Sequence, residues 1–187
     1  ECRYKDINGD GIVNENDRTI LGSGMPKVNF GLGARVEWKG WDLSVATFGA
    51  LKYKVTDHIW NVLHSSYGAG NKSTDLIDSW TAENPGSEPR VGWDAGTGWN
   101  DVFSERKIQD AAYWKIANVE LGYNFPDEWF ADRISSVRVY VSGQNLATLT
   151  KYEGYNVDYA GGTFTPGLNY CSYPTPRSFM AGLNFTF

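Results

Sequence analysis

The final ten residues, Ser178 to Phe187, alternate without a break. Phe179, Ala181, Leu183, Phe185 and Phe187 fall on one parity; Ser178, Met180, Gly182, Asn184 and Thr186 fall on the other. Side chains along a strand point to opposite faces with period two, so this segment predicts a strand with one apolar face and one small or polar face. Two environments suit such a strand. One is the edge of a soluble sandwich. The other is the wall of an outer-membrane barrel, where the apolar face meets lipid and the opposite face meets a wet lumen. The aromatic end at Phe187, with nothing after it to solvate the ring, points to the second.

Composition narrows the choice. The 187 residues suffice for one ordinary domain. Hydrophobic residues make up 41% and mean hydropathy is -0.43. No run of about 18 apolar residues occurs, which excludes a spanning helix but not a barrel, whose strands carry only alternate apolar residues. Aromatics reach 15%, and such rings gather at membrane interfaces and in carbohydrate sites. A net charge of -5 without a Lys/Arg cluster argues against nucleic acid as a partner. The start Glu1-Cys2-Arg3, with neither initiator Met nor signal peptide, predicts a piece of a longer protein. Cys2 and Cys171 are too few for a disulfide framework, although a single bridge tying an early loop to a late one is open to them in an oxidising compartment.

The first distinctive motif is Asp6-Ile7-Asn8-Gly9-Asp10-Gly11-Ile12-Val13-Asn14-Glu15-Asn16-Asp17. Its oxygen-bearing side chains follow a calcium-loop spacing, with Gly11 at the sharp turn. A hard cation takes roughly six to eight oxygens. Asp6, Asn8 and Asp10 would offer side-chain oxygens, Ile12 its backbone carbonyl, Asn14 a water-mediated contact and Asp17 a carboxylate. The motif ends in Asp rather than the Glu of an EF-hand and resembles the loop of dockerin modules more closely. A structural calcium and a metal-free acidic turn both fit it.

Alternation recurs along the chain. Val28, Phe30, Leu32, Ala34, Val36 and Trp38 share a face, Lys39-Gly40 predicts a tight turn, and Trp41, Leu43 and Val45 return. A second pair of strands is expected from Ala117, Val119, Leu121, Tyr123 and Phe125 and from Val137, Val139 and Val141. Between them, 126–135 is expected as a turn, with Asp127 capping one helical turn. Residues 52–112 and 148–176 are polar, glycine-rich and aromatic; connections this long are uncommon in a compact domain and usually functional. Asp75 to Trp80 predicts a short amphipathic helix. With the terminal strand ending on the periplasmic side, 1–27, 52–112 and 148–176 all fall outside and the short turns all fall inside. Barrels sort their connections in this way. Five strands cannot close, because a membrane barrel needs about eight or more and an open edge in lipid leaves backbone groups unpaired at several kcal/mol each.

Several stretches carry a family resemblance: Tyr4-Lys5-Asp6-Ile7-Asn8-Gly9-Asp10-Gly11 with Asp17-Arg18, Trp80-Thr81-Ala82-Glu83-Asn84-Pro85, Lys115 to Tyr123, Val139 to Leu146, Thr150-Lys151-Tyr152, and Tyr173-Pro174-Thr175-Pro176-Arg177 before the terminal strand. They lie in order along nearly the whole chain, which resembles the C-terminal part of SusC/RagA-like TonB-dependent transporters of Bacteroidota outer membranes. The resemblance implies an all-β fold: an antiparallel transmembrane β-barrel segment, the last five strands of a barrel of about 22, with long extracellular loops. It also implies an N-terminal plug, a TonB box and a SusD-like lipoprotein over the outer mouth. The plug and TonB box are not in this sequence, so energy coupling would lie outside the segment. The expected function is active import of oligosaccharides or peptides across the outer membrane, with this segment as wall and outer loops and lipid against its apolar face. The competing expectation is a soluble calcium-stabilised β module that binds glycans or a protein partner.

Catalysis is not expected. His58 and His64 lie in a loop without a cysteine or serine motif that suggests a triad or a zinc site. Asp75 with Asp78 predicts a solvated helix face, and Asp94 and Asp101 loop positions. For cargo contact, Trp93, Trp99 and Tyr155 would stack on sugar rings or peptide side chains and Asp158 would accept hydrogen bonds; packing of the loops explains the same residues.

Overall fold

A computed structural model of the chain describes residues 2–86, 88–93, 100–130, 135–158 and 161–186. The side chains of Asp127 and Gly161 are not described. Trp99, Asp94, Tyr159, Phe187 and the 131–134 part of the short turn also lie outside the described residues. The elements are β1 (Val28–Trp38), β2 (Trp41–Leu51), β3 (Lys54–Asp57), α1 (His58–Leu63), β4 (Gln109–Asp110), β5 (Tyr113–Asn124), β6 (Ser136–Thr150), β7 (Gly161–Gly162), β8 (Thr165–Pro166), β9 (Leu168–Asn169) and β10 (Ser178–Thr186). Short 3-10 turns occur at Glu15–Asp17, Thr74–Asp78, Glu105–Lys107 and Asp127–Trp129.

The chain divides into two compact units. A sheet unit comprises Met25–Tyr53, Asp110–Tyr159 and Ser172–Phe187; a loop unit comprises Glu1–Gly24, Lys54–Gln109 and Ala160–Cys171.

In the sheet unit the order is β1-β2-β5-β6-β10, and every neighbouring pair is antiparallel. The β1–β2 hairpin closes on Lys39 and Gly40, both at positive φ (48° and 87°). Positive φ at both central residues matches the right-handed twist of the strands and fixes the register. Trp38 therefore stands opposite Trp41. A Cβ at Gly40 would come 2.7 Å from the Asn124 carbonyl oxygen, so only glycine fits there.

Directly opposed residues share a face. Val36, Leu43, Leu121, Val141 and Ala181 thus form one row across all five strands, and Trp38, Trp41, Tyr123, Val139 and Leu183 form the next. On the other face the rows read Arg35, Ser44, Glu120, Ser142, Met180 and Glu37, Asp42, Gly122, Tyr140, Gly182.

The β5 alternation does not run unbroken. The register shifts between Ile116 and Asn118 against both neighbours, and Ala117 is left unpaired as a bulge. One extra residue swaps the faces beyond it. Ala117 therefore does not continue the row of Val119 and Leu121. Ile116 stands opposite Thr47 and Ala147, Trp114 stands opposite Gly49 and Leu149, and Lys115 moves to the polar face.

Burial is inverted relative to a water-soluble sheet. Asp42 and Lys115 are each 3% exposed, whereas Phe179 is 77%, Trp38 66% and Leu32 63% exposed. Leu183, Val141 and Leu149 are exposed on the same apolar face.

The loop unit holds a small core around Val55, Leu76, Ser66 and Asn100. Its β3 pairs with β9 in parallel, Thr56 against Leu168 and Asp57 against Asn169. Asp57 ends β3 and caps α1, its Oδ1 accepting from the Trp60 N–H at 2.9 Å. Its Oδ2 accepts from Asn169 Nδ2 at 3.2 Å. The segment expected as an amphipathic helix is a 3-10 turn that buries Leu76 and leaves Ile77 exposed. Among the described residues no helix is long and apolar enough to cross a membrane.

Candidate functional site

The polar face of the sheet carries a charge cluster that spans three strands. Arg138 on β6 donates from Nε to Asp42 Oδ2 at 2.9 Å and from Nη2 to Asp42 Oδ1 at 2.5 Å. Nη2 also donates to Glu120 Oε1 at 2.7 Å. Asn124 Nδ2 reaches Asp42 Oδ2 at 3.1 Å. A bidentate fork with both carboxylate oxygens occupied is the form of ion pair that tolerates burial. Gly122 makes room for it, since a Cβ there would collide with Asp42 and Arg138. Gly182 likewise clears space for the Tyr140 ring, over which the Arg138 guanidinium lies at 5.1 Å. Sequence reasoning missed this cluster. Its signal was present: Asp42, Glu120 and Arg138 are charges at polar-parity positions inside strands, where a soluble core would reject them.

A second ion pair joins Lys115 Nζ to Asp158 Oδ2. Asp158, expected as a cargo acceptor, is held by this contact, and its Oδ1 is buried without a partner. Tyr155, in the same unit, is exposed. Trp93 belongs to the loop unit and is also exposed. A cavity of about 250 Å³ in the loop unit is lined by Leu21, Ser23, Lys54, Thr56, Phe103 and Pro166 among others; Trp93 is not among them.

The 6–17 loop folds on its own side chains. Asp6 accepts from the Gly9 and Gly11 N–H groups at 2.7 and 2.8 Å. Asn8 Oδ1 accepts from Asp10 N, and Asp10 Oδ1 from Ile12 N. Asn14 caps the following turn through Asn16 N, and its Nδ2 donates to the Ile12 carbonyl oxygen at 3.3 Å. Asp17 accepts from Ile7 and Asn14 N–H groups, both at 2.8 Å. The donors from Asn14 and Ile7 hold the Asp17 carboxyl below the usual carboxylate range. The donor set is oxygen-rich and suits a hard cation. Among the described residues, however, no three acidic, imidazole or thiol groups converge as a metal-holding cluster. The carboxylates turn to backbone N–H groups instead.

His64 is tied into the loop unit. Nδ1 faces the Trp60 carbonyl oxygen and Nε2 faces Asp75 Oδ2, both at 2.9 Å, and the ring stacks on Trp60 at 4.0 Å. Asp75 also accepts from Ser73 Oγ; that bond, ahead of His64, lowers its carboxyl pKa. Both ring nitrogens are thus occupied by structural partners. Asp101 accepts from Ser65 Oγ and from Ser66 N. Cys2 and Cys171 are free thiols, so the bridge open to them in the sequence is not formed. Cys2 instead donates its backbone N–H to Asn100 Oδ1 at 2.7 Å.

Comparison with known proteins gives these features a family. No family model matches the chain. It is 33% identical over 196 residues to TonB-dependent receptor P26 of Formosa agariphila, matching 100% of this chain and 19% of that protein. It is 27% identical over 190 residues to TonB-dependent receptor SusC of Bacteroides thetaiotaomicron, matching 100% of this chain and 18% of that protein. The chain therefore spans about a fifth of the length of the curated relatives it matches. Its fold matches a chain in the structure of the RagAB peptide transporter with a TM-score of 0.79 at 23% identity, covering 94% of this chain and 19% of that one. The RagAB peptide importer in its open-open state gives 0.74 at 24% identity, covering 90% and 18%. With sequence likeness running along the whole chain, its homologues are TonB-dependent receptors, SusC among them, and its antiparallel sheet shares the fold of the RagAB chain.

Proposed function

We propose that this chain supplies five neighbouring wall strands and their outer loops to an outer-membrane importer of oligosaccharides or peptides, and that it performs no catalysis itself. The inverted burial of the sheet carries the proposal. Lipid covers the rows from Leu32 and Trp38 to Leu183 and Phe179, and a wet lumen faces Asp42, Glu120 and Arg138. The aromatic chain Trp41–Tyr123–Phe125–Trp129, with ring centroids 4.9, 5.1 and 5.8 Å apart, makes an interfacial girdle at the short-turn end. The long connections support the same reading, since 1–24, 54–109 and 160–171 gather in one unit while the Lys39-Gly40 turn stays with the sheet. The remaining strands, the plug, a SusD-like lipoprotein and the TonB complex complete the machine, with energy coupling outside this segment.

Within that frame Trp93, Trp99 and Tyr155 contact cargo, and Asp158 positions the stretch that bears Tyr155. A calcium ion joins the 6–17 loop through Asp6, Asn8, Asp10, the Ile12 carbonyl, Asn14 and Asp17, where it would draw the carboxylates of Asp6, Asp10 and Asp17 together and stiffen the loop.

Fractionation of cells that express the whole transporter tests the main proposal. The protein is expected in the outer membrane and to migrate faster unheated than boiled. Recovery as a monodisperse species in detergent-free buffer overturns it in favour of a soluble β module. Calcium is tested by limited proteolysis of the loop: protection that rises with added calcium and disappears in Asp10→Ala supports the ion, and equal cleavage with and without calcium removes it. Trp93→Ala is expected to weaken cargo uptake, and unchanged uptake removes Trp93 from the contact set.

A further inference from the structure

The stretch after β6 is bonded back to the sheet unit. Thr150 Oγ1 donates to the Ala112 carbonyl oxygen at 2.9 Å and accepts from Tyr152 N at 3.0 Å. Tyr152 and Val157 are buried. The Val157 carbonyl accepts from the buried Tyr53 hydroxyl at 2.9 Å. Asn156 Nδ2 donates to the Tyr173 carbonyl at 3.2 Å, and its Oδ1 accepts from Asp158 N at 3.0 Å. Asp158 then closes the stretch on Lys115.

The position of Lys115 shows which face is covered. It stands opposite Phe48 on β2, with its ammonium 5.9 Å from the centre of that ring. Phe48 has the parity of Asp42, so Lys115 and Asp158 meet on the face that carries Arg138. Without the bulge at Ala117, Lys115 would share the parity of Val119 and Leu121 and point to the apolar face. The extra residue turns one lysine inward, and that lysine is almost completely buried where it pairs with Asp158. A desolvated ammonium is tolerated only with a well-placed partner, so the bulge and Asp158 act as one device. Between the two groups of anchors, Tyr155 is exposed.

We infer that residues 151–158 form an inward strap, pinned to the lumen face of the wall through Lys115–Asp158 and Tyr53–Val157, which narrows the import path and presents Tyr155 to passing cargo. Lys115 is the positioning residue; Tyr155 selects. The inference rests on the barrel reading above.

Thiol labelling in intact cells expressing the whole transporter tests it. Every native cysteine of the transporter, Cys2 and Cys171 among them, is changed to Ser, and Tyr155→Cys supplies the single thiol. A small membrane-impermeant thiosulfonate is expected to label it, and a polyethylene-glycol maleimide too wide for the lumen to label it about tenfold more slowly, or less, because access sets the rate. Adding Lys115→Met should speed the wide reagent by about tenfold or more, since the pinning pair is lost. The exchange Lys115→Asp with Asp158→Lys should restore the slow rate while unheated migration stays fast. Equal rates for both reagents in the Lys115 protein overturn the strap, as does a wide-reagent rate that ignores Lys115→Met or stays high in the exchanged pair. Labelling by neither reagent in whole cells but by both after lysis overturns the barrel reading, and the strap with it.

Discussion

In the sheet unit the apolar side chains Leu32, Trp38 and Phe179 are exposed and the ions Asp42 and Lys115 are buried. In the loop unit Val55 and Leu76 are buried in the ordinary sense, and order comes from short-range polar bonds: Asp6 and Asp17 to backbone N–H groups, Asp57 to Trp60 N, Asp101 to Ser66 N. On the proposed barrel reading the contrast separates two solvents. A segment that meets water on all sides satisfies its backbone with side chains a few residues away. A strand that meets lipid satisfies its backbone by ladder pairing and keeps its charges for the other face.

The largest expected effect breaks the polar face of the sheet. Arg138→Met leaves Asp42 buried and unpaired, and should cost about 3–5 kcal/mol. Thermal unfolding of the detergent-solubilised transporter, followed by loss of its fast unheated migration, reads it. Adding Asp42→Leu should recover much of the loss, and a double variant no better than the single one would show that the pair is not a coupled unit. Next is the apolar face. Leu121→Lys at mid-sheet should cost about 2–4 kcal/mol if lipid covers it. An exposed position in water would move by only about 0.5 kcal/mol. Unfolding in bilayers against the parent protein separates the two values.

The loop unit should respond less. Asp57→Ala removes the α1 cap and the Asn169 partner, for about 1–2 kcal/mol. Faster amide exchange confined to 58–64, with the sheet amides unchanged, is the expected pattern; matching acceleration in β5 and β6 would mean the two units do not divide stability as argued. The smallest effect is pH-dependent. The folded loop favours ionised Asp17, so its contribution is complete above the ordinary carboxyl value of 3.8 and fades as pH falls through the lower folded value. Ile7 and Asn14 amide protection should decline over that acid range and be weak at every pH in Asp17→Asn.

Much of the sheet was legible because strand periodicity is local. Phe179, Leu183, Val139, Val36 and Trp38 declare their face from their immediate neighbours, and Lys39-Gly40 declares its turn. The face of Lys115 was not legible, because Ala117 looks like one more member of an apolar parity until both partner strands show it unpaired. The candidate site was less legible than the wall. Tyr155 and Trp93 are exposed, and the pairing of Asp158 with Lys115 spans 43 positions of sequence, beyond the reach of any local pattern.

By itself the sequence determined that strands alternate between a greasy and a polar side, that long connections and short turns take opposite places in the order, and that acidic residues cluster at 6–17. Each of these follows from the nearest few residues. Only the tertiary structure decided that Arg138 bridges Asp42 and Glu120, that the bulge turns Lys115 inward and that 151–158 lies against the polar face. Those depend on strand order and register, which pair residues as far apart as 96 positions and leave no trace in local periodicity.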